Sequence, residues 1–239
     1  SEFAPSVRFT SFESWASLSR WYWSLYSDRI VLSEEMRRDL AAVISGASGN
    51  MEKVRRIFNH VTSRIRYVGF ELGLGGLQPR RSDETYHSGM GDCKDITLVL
   101  VALLRAAGIE AHLALVRTGD RGEADISAPY LGVFNHAICY VEVAGGFFLD
   151  GTARFSGFRE IPDTVRNAAA LVIRAGAGGF LPVSNDLYEQ NRLLVHNEVK
   201  LFPDGSARII RELEKKGGLY APQARYNALD RESLRTTID

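Results

Sequence analysis

The chain has 239 residues, with 29 Lys plus Arg against 29 Asp plus Glu, so its formal charge at neutral pH is zero. That balance argues against nucleic acid or an anionic membrane surface as the main partner, since both call for a basic footprint. Hydrophobic residues make up 45 % of the chain, enough for a substantial core, and no apolar run approaches the roughly 18 residues of a membrane-spanning helix.

Taken in order, Thr10 and Glu13 fit a capping box, and Phe12, Trp15, Leu18, Tyr22 and Leu25 then recur at helical spacing, which predicts an amphipathic helix over about 12–27. Trp21 and Trp23 fall off that stripe and are candidates to pack against a further domain. Ser33-Glu34-Glu35 opens a second helix with Met36, Leu40, Val43 and Ile44 inward. Asn50 caps a third, in which Val54, Ile57, Phe58, Val61 and Ile65 form the cleanest apolar stripe of the chain. Arg66-Tyr67-Val68 reads as extended. Gly69 to Tyr86 reads as a long loop with four glycines, and a loop of that length in a compact domain is usually functional. The Gly73-Leu74-Gly75-Gly76 run does not lead from a strand into a helix, so a nucleotide fingerprint is rejected.

Gly91-Asp92-Cys93-Lys94-Asp95 follows, at the mouth of an apolar helix from Ile96 to Ala107 that Gly108 should stop. A helix apolar nearly all round is buried. Strands are predicted at Glu110–Thr118, Val133–Val143, Phe147–Asp150 and near Ala169–Arg174, with a second hairpin, Leu193–Leu201 and Ala207–Leu213, turning over Pro203-Asp204-Gly205. Residues 217–239 read as polar and partly helical. The expected division is a catalytic core over 1–189 and, from 190 to 239, the start of a following β-rich segment.

The chemistry centres on Cys93. The first N–H groups of a helix lack internal partners and the dipole is positive there, so a thiol at that spot should ionise readily and act as a nucleophile. His136, in Phe134-Asn135-His136-Ala137-Ile138, and Asp150, in Phe148-Leu149-Asp150-Gly151-Thr152, complete a nucleophile–base–orienter set. Hairpin parity constrains that set. A two-residue Gly145-Gly146 turn would put Asp150 on the wrong face. A three-residue Val143-Ala144-Gly145 loop pairs 142 with 146, sets Asp150 against Ile138, and leaves it diagonal to His136 at a Cα separation of about 7–8 Å. Cys139 should then point away from His136, as a free core thiol. Asp92 and Asp95 read as helix-capping acids. His60, His87, His112 and His196 lie outside the pattern. The backbone N–H of Cys93 is one oxyanion donor; Gln78 is the candidate for a second, with Tyr67 and the tryptophans as rivals. No Cys-x-x-Cys pair, zinc spacing or calcium loop is readable, so neither metal nor cofactor is expected, and activity should survive chelation.

The order and context of Cys93, His136 and Asp150, together with Arg66-Tyr67-Val68-Gly69 and Gln78-Pro79, resemble a bacterial branch of the transglutaminase-like superfamily over roughly residues 8 to 155. The resemblance implies an α+β, papain-like fold, with the nucleophile at the N-terminus of a central helix packed on an antiparallel sheet. It implies a thiol enzyme acting on a glutamine or peptide amide through a thioester, with cysteine peptidase, deamidase and non-catalytic protein-binding module as alternatives. It implies further a protein or peptide substrate, adjacent domains in a longer parent chain, and a periplasmic or extracellular parent. The missing Cys-x-x-Cys speaks against the zinc-containing peptide-glycanase relatives.

Overall fold

The computed structural model describes residues 7–69, 73–154, 156–184 and 192–216. Chain contacts divide it into two compact units: residues up to Arg154 with Ile161–Ser184, and the remainder, which contains the second hairpin.

In the first unit, helix α1 spans Trp15–Tyr26. It starts later than the Thr10/Glu13 pattern suggested, because Ser14 and Ser17 form the reciprocal box, Ser14 Oγ accepting from Ser17 N and Ser17 Oγ from Ser14 N. Thr10 instead donates to the Pro129 carbonyl. Leu18, Tyr22 and Tyr26, one turn apart, carry the buried stripe. Trp21 and Trp23 are engaged within the unit: Trp21 packs on Phe12 with ring centroids 5.3 Å apart, and Trp23 on Tyr26 and under the Arg105 guanidinium. Helix α2 is Glu34–Ile44, capped by Ser33 Oγ, and α3 is Asn50–Arg64. Gly49 rather than Asn50 takes the cap position of α3. Val54, Ile57, Phe58 and Val61 are buried as the stripe requires.

Strand β1, Arg66–Tyr67, pairs in parallel with β2, Met90–Gly91. Between them lies a seven-residue helix, α4 (Ser82–Ser88), where the glycine content suggested only loop. Asp83 and Glu84 complement its N-terminus, and Gly89, left-handed at φ 64°, ends it. Helix α5 runs Cys93–Ala106 and is buried from Lys94 to Leu104. Gly108, at φ 78°, turns the chain into the sheet.

The sheet is antiparallel, in the order β5-β4-β3-β6-β7: β3 Ala111–Val116, β4 His136–Val141, β5 Phe147–Leu149, β6 Ala169–Val172 and β7 Gly179–Pro182. The sequence reading did not include β7. Strand β3 is central and wholly buried. Its side chains alternate as a pleat demands. Leu113 and Leu115 meet Leu18, Tyr22 and Tyr26 of α1 and Leu98 of α5. Ala114 and Val116 meet Ile138, Phe148, Ile161, Val165 and Val183 on the opposite face.

In the second unit, β8 (Arg192–Leu201) and β9 (Ala207–Lys216) form an antiparallel hairpin closed at Gly205, φ 81°. Residues 217–239, and the expected boundary near 189, lie outside the described residues.

Candidate active site

Cys93 is the first residue of α5 and a free, half-buried thiol. The residues around it explain why the chain turns into a helix there. Asp92 is extended (φ −89°, ψ −172°) and its Oδ1 accepts from Asp95 N at 3.2 Å, while Asp95 Oδ2 accepts from Asp92 N at 3.3 Å. Asp95 also fixes the preceding loop, accepting from Arg80 N at 2.8 Å and Arg80 Nε at 3.2 Å. A Cβ on Gly91 would lie 2.8 Å from Asp95 Cβ and 2.9 Å from Thr85 Cγ2, so only glycine fits the approach. The β1–β2 bridge holds this entry from the other side.

His136 is the first residue of β4 and pairs with Val116 at the end of the β3–β4 ladder. Two contacts locate it, one to α5 and one to the exit of β3. Thr97 Oγ1, inside the helix, donates to the Ala137 carbonyl at 3.2 Å. Asn135 ties the strand entry to the exit of β3: its Oδ1 accepts from Thr118 N at 2.8 Å and its Nδ2 donates to Thr118 Oγ1 at 2.6 Å.

Asp150 follows β5. The observed pairs Cys139–Leu149, Tyr140–Phe148 and Val141–Phe147 continue to 142–146 and 138–150, the register of the three-residue loop. Ala144, Gly145 and Gly146 all have positive φ there. Asp150 Oδ2 lies 2.8 Å from His136 Nε2. Its Oδ1 accepts from Thr152 N at 2.9 Å and Thr152 Oγ1 at 2.7 Å, which gives the Asp-Gly-Thr sequence a physical purpose: the threonine fixes the carboxylate. Gly151 lets this turn approach α5, since a Cβ there would lie 2.7 Å from Ile96 Cγ2 and 2.9 Å from Leu100 Cδ1.

With Nε2 on Asp150, the Cys93 sulfur is the other group that acts on the His136 ring. Burial works against a charged imidazole, but the Asp150 carboxylate and the sulfur outweigh it, and the His136 pKa is pushed up to about 10. Burial likewise disfavours the Asp150 carboxylate, yet His136 and Thr152 hold its pKa below the ordinary value.

Cys93 and His136 line a cleft of about 680 Å³, and Asp150 sits behind His136, outside its wall. Its walls include Gly73, Gly76 and Leu77 from the glycine loop, and Arg121, Tyr130, Leu131 and Gly132 from the loop before β4. Tyr22 and Lys94 also line it, and the sequence reading singled out neither as a site residue. Tyr22 sits one turn from Leu18 on a stripe that reads simply as core. Its hydroxyl donates to the Leu77 carbonyl at 2.9 Å. Burial and the neighbouring Cys93, Asp92 and Asp95 push its pKa up, so it stays a phenol.

Gln78 does not join the site. Its Nε2 donates to the Leu25 carbonyl at 2.7 Å, satisfying an orphan acceptor in the last turn of α1. It is absent from the cleft wall, so the amide expected to stabilise an oxyanion is spent on a helix end. Tyr67, in β1, is 48 % exposed and also outside the wall. The other histidines serve elsewhere. His60 Nε2 meets Tyr86 Oη at 2.6 Å, His112 lies beside Arg105, Glu110 and Glu142, His87 lies near Glu35, and His196 is in β8. Cys139 is fully buried and unpaired, and burial pushes its thiol pKa up to about 12. Among the described residues no cluster of three His, Cys, Asp or Glu side chains is arranged to hold a metal, and no helix is long and apolar enough to cross a membrane.

Residues 38–149, from within α2 to the end of β5, match the family model of the transglutaminase-like superfamily. Among solved structures, a "putative protease" from Parabacteroides distasonis aligns at TM-score 0.54 with 13 % identity, covering 90 % of this chain and 56 % of that one. A "putative cysteine protease" from Cytophaga hutchinsonii aligns at TM-score 0.42 with 14 % identity, covering 79 % of this chain and 55 % of that one. The chain thus spans just over half the length of these two proteins. No curated protein sequence matches it. The class defined by the fold and this segment is an α+β, papain/transglutaminase-like core with a cysteine at the start of its central helix.

Proposed function

We propose that this chain is a thiol enzyme that acts on a protein or peptide amide through a thioester, with Cys93 as nucleophile, His136 as proton carrier and Asp150 as orienter. One observation carries the reading: a cysteine at a helix start and an imidazole line one cleft, and a buried carboxylate backs that imidazole at 2.8 Å.

Cys93 passes its thiol proton to His136. Cys93 Sγ attacks the carbonyl carbon of a glutamine side chain or a peptide bond. The oxyanion that forms is met by the Cys93 backbone N–H, one of the unpartnered donors of the α5 first turn. His136 gives its proton to the departing nitrogen, the C–N bond breaks and the thioester remains. Water or an amine then attacks, His136 takes up the proton, and the C–S bond breaks to return the thiolate. Asp150 holds the ring in one tautomer throughout, and Thr152 holds Asp150. The β8–β9 hairpin belongs, in this reading, to a following β-rich segment of a parent exported beyond the cytoplasm.

The test is incubation with a peptide library and an amine donor, with products read by mass spectrometry. Gain of the amine identifies amide transfer, a gain of about one mass unit deamidation, and backbone cleavage a peptidase. No product with any substrate, together with an unreactive Cys93, contradicts the proposal.

A further inference from the structure

The proposed reaction leaves one buried ionic group in the cleft without a task. Lys94 follows the nucleophile directly, lines the same cleft, and has a side chain only 8 % exposed. Its ammonium meets the Asp92 carboxylate, which is 2 % exposed. Burying two charges is expensive, and an apolar side chain often fills such a position at no loss of stability. Asp92 does not need its charge to cap the helix, because a neutral Asn or Ser caps as well. The pair therefore calls for another explanation.

That explanation lies in what surrounds the sulfur. Asp92, Lys94, His136, Arg121 and the neutral Tyr22 phenol line the same cleft as Cys93, Asp95 stands in the first turn of α5, and Asp150 lies behind His136. Arg80 compensates Asp95 from the loop before α4. Arg80 and Arg121 are 36 % and 70 % exposed, so water screens them; His136 and Lys94 are the two buried cations. Unpaired, Asp92 would place an anion beside a sulfur that must itself become an anion, and like charges oppose ionisation.

We propose that Lys94 is a positioning residue that offsets the Asp92 carboxylate and thereby keeps Cys93 reactive at neutral pH. The inference rests on the reading of Cys93 as nucleophile. It places the charge balance of the site in the Asp92-Cys93-Lys94 triplet itself.

The test is the pH profile of iodoacetamide alkylation at Cys93, read by mass spectrometry on the full chain, with buried Cys139 as internal control. Lys94→Met should move the half-maximal pH up by about one unit and slow alkylation roughly tenfold on the acid limb. Lys94→Arg should leave the profile in place. Asp92→Asn should move it down, and Asp92→Asn/Lys94→Met should return it to the wild-type position. If Lys94→Met does not fold, the comparison of Asp92→Asn with the double variant carries the test: the double variant must lie at higher pH. An unmoved Lys94→Met profile, or a double variant no higher than Asp92→Asn, overturns the role of Lys94 alone. A wild-type Cys93 no more reactive than an ordinary thiol overturns the nucleophile reading itself.

Discussion

Asp150 shows how much a single side chain organises here. Both of its oxygens are engaged, one by His136 and one by Thr152, so it fixes the imidazole rather than merely neighbouring it. Asp150→Asn keeps the shape but offers the wrong hydrogen-bonding partner, and kcat should fall by roughly 10³–10⁴, as in other triads; an unchanged kcat would reduce Asp150 to a turn residue. The same pair makes stability depend on pH. The His136 pKa rises in the folded state from 6.5 to about 10, so its contribution is complete below about pH 6.5 and is lost as pH climbs through about 10. Asp150 is shifted down, so its contribution exists above the ordinary carboxylate range and is lost in acid. Thermal unfolding should therefore show the gap between wild type and Asp150→Asn widest at mildly acidic pH and narrowing towards pH 10; a gap that widens contradicts this pairing. The approach of Asp150 to His136 was legible in the sequence, because hairpin parity allows few registers that bring the two together. Gln78 was misread, because a loop amide carries no sign of which carbonyl it will meet. Tyr22 was overlooked for the opposite reason: it already had an ordinary explanation, as a core aromatic on the α1 stripe.

At the scale of elements, the site depends on how closely a turn and a strand approach α5. Gly151→Ala would force its new methyl group into Ile96 and Leu100 at 2.7–2.9 Å. A loss of about 1–3 kcal/mol is expected from such overpacking, with a fall in kcat because Asp150 precedes the turn. Equilibrium denaturation and steady-state kinetics would show both effects, and a variant as stable as wild type would mean the turn can move away freely. Thr97→Val keeps the volume but removes the bond to the Ala137 carbonyl; leaving that acceptor unpaired should cost about 1–3 kcal/mol. The hairpin register was readable because strand parity leaves few solutions that bring residues 136 and 150 together. The start of α1 was less so, since two serine- and threonine-led boxes compete within a few residues and only packing selects Ser14. Helix α4 was missed because its seven residues are too short for an apolar period to register, although Gly89 marks its end. Strand β7 has two glycine neighbours and a terminal proline, which mask its pairing with β6.

Over the whole molecule, the fold places a buried helix under Cys93 and loops around it. Helix α5 is buried almost throughout, whereas the cleft walls come from two loops separated in sequence by that helix and by β3. Zero net charge in the chain is matched by a cleft whose acidic and basic groups are largely paired with one another. The central claim is that Cys93 and His136 act as one nucleophilic unit, and site-resolved alkylation of Cys93 in wild type and His136→Ala tests it most directly. The account predicts that wild-type Cys93 reacts with iodoacetamide with a pH midpoint well under the roughly 8.5 of a free thiol, and that His136→Ala, folded as judged by circular dichroism, loses this low-pH reactivity and forms no acyl-enzyme with a reactive amide. A wild-type Cys93 that reacts only in the ordinary thiol range, or a His136→Ala variant with an unchanged profile, would contradict it.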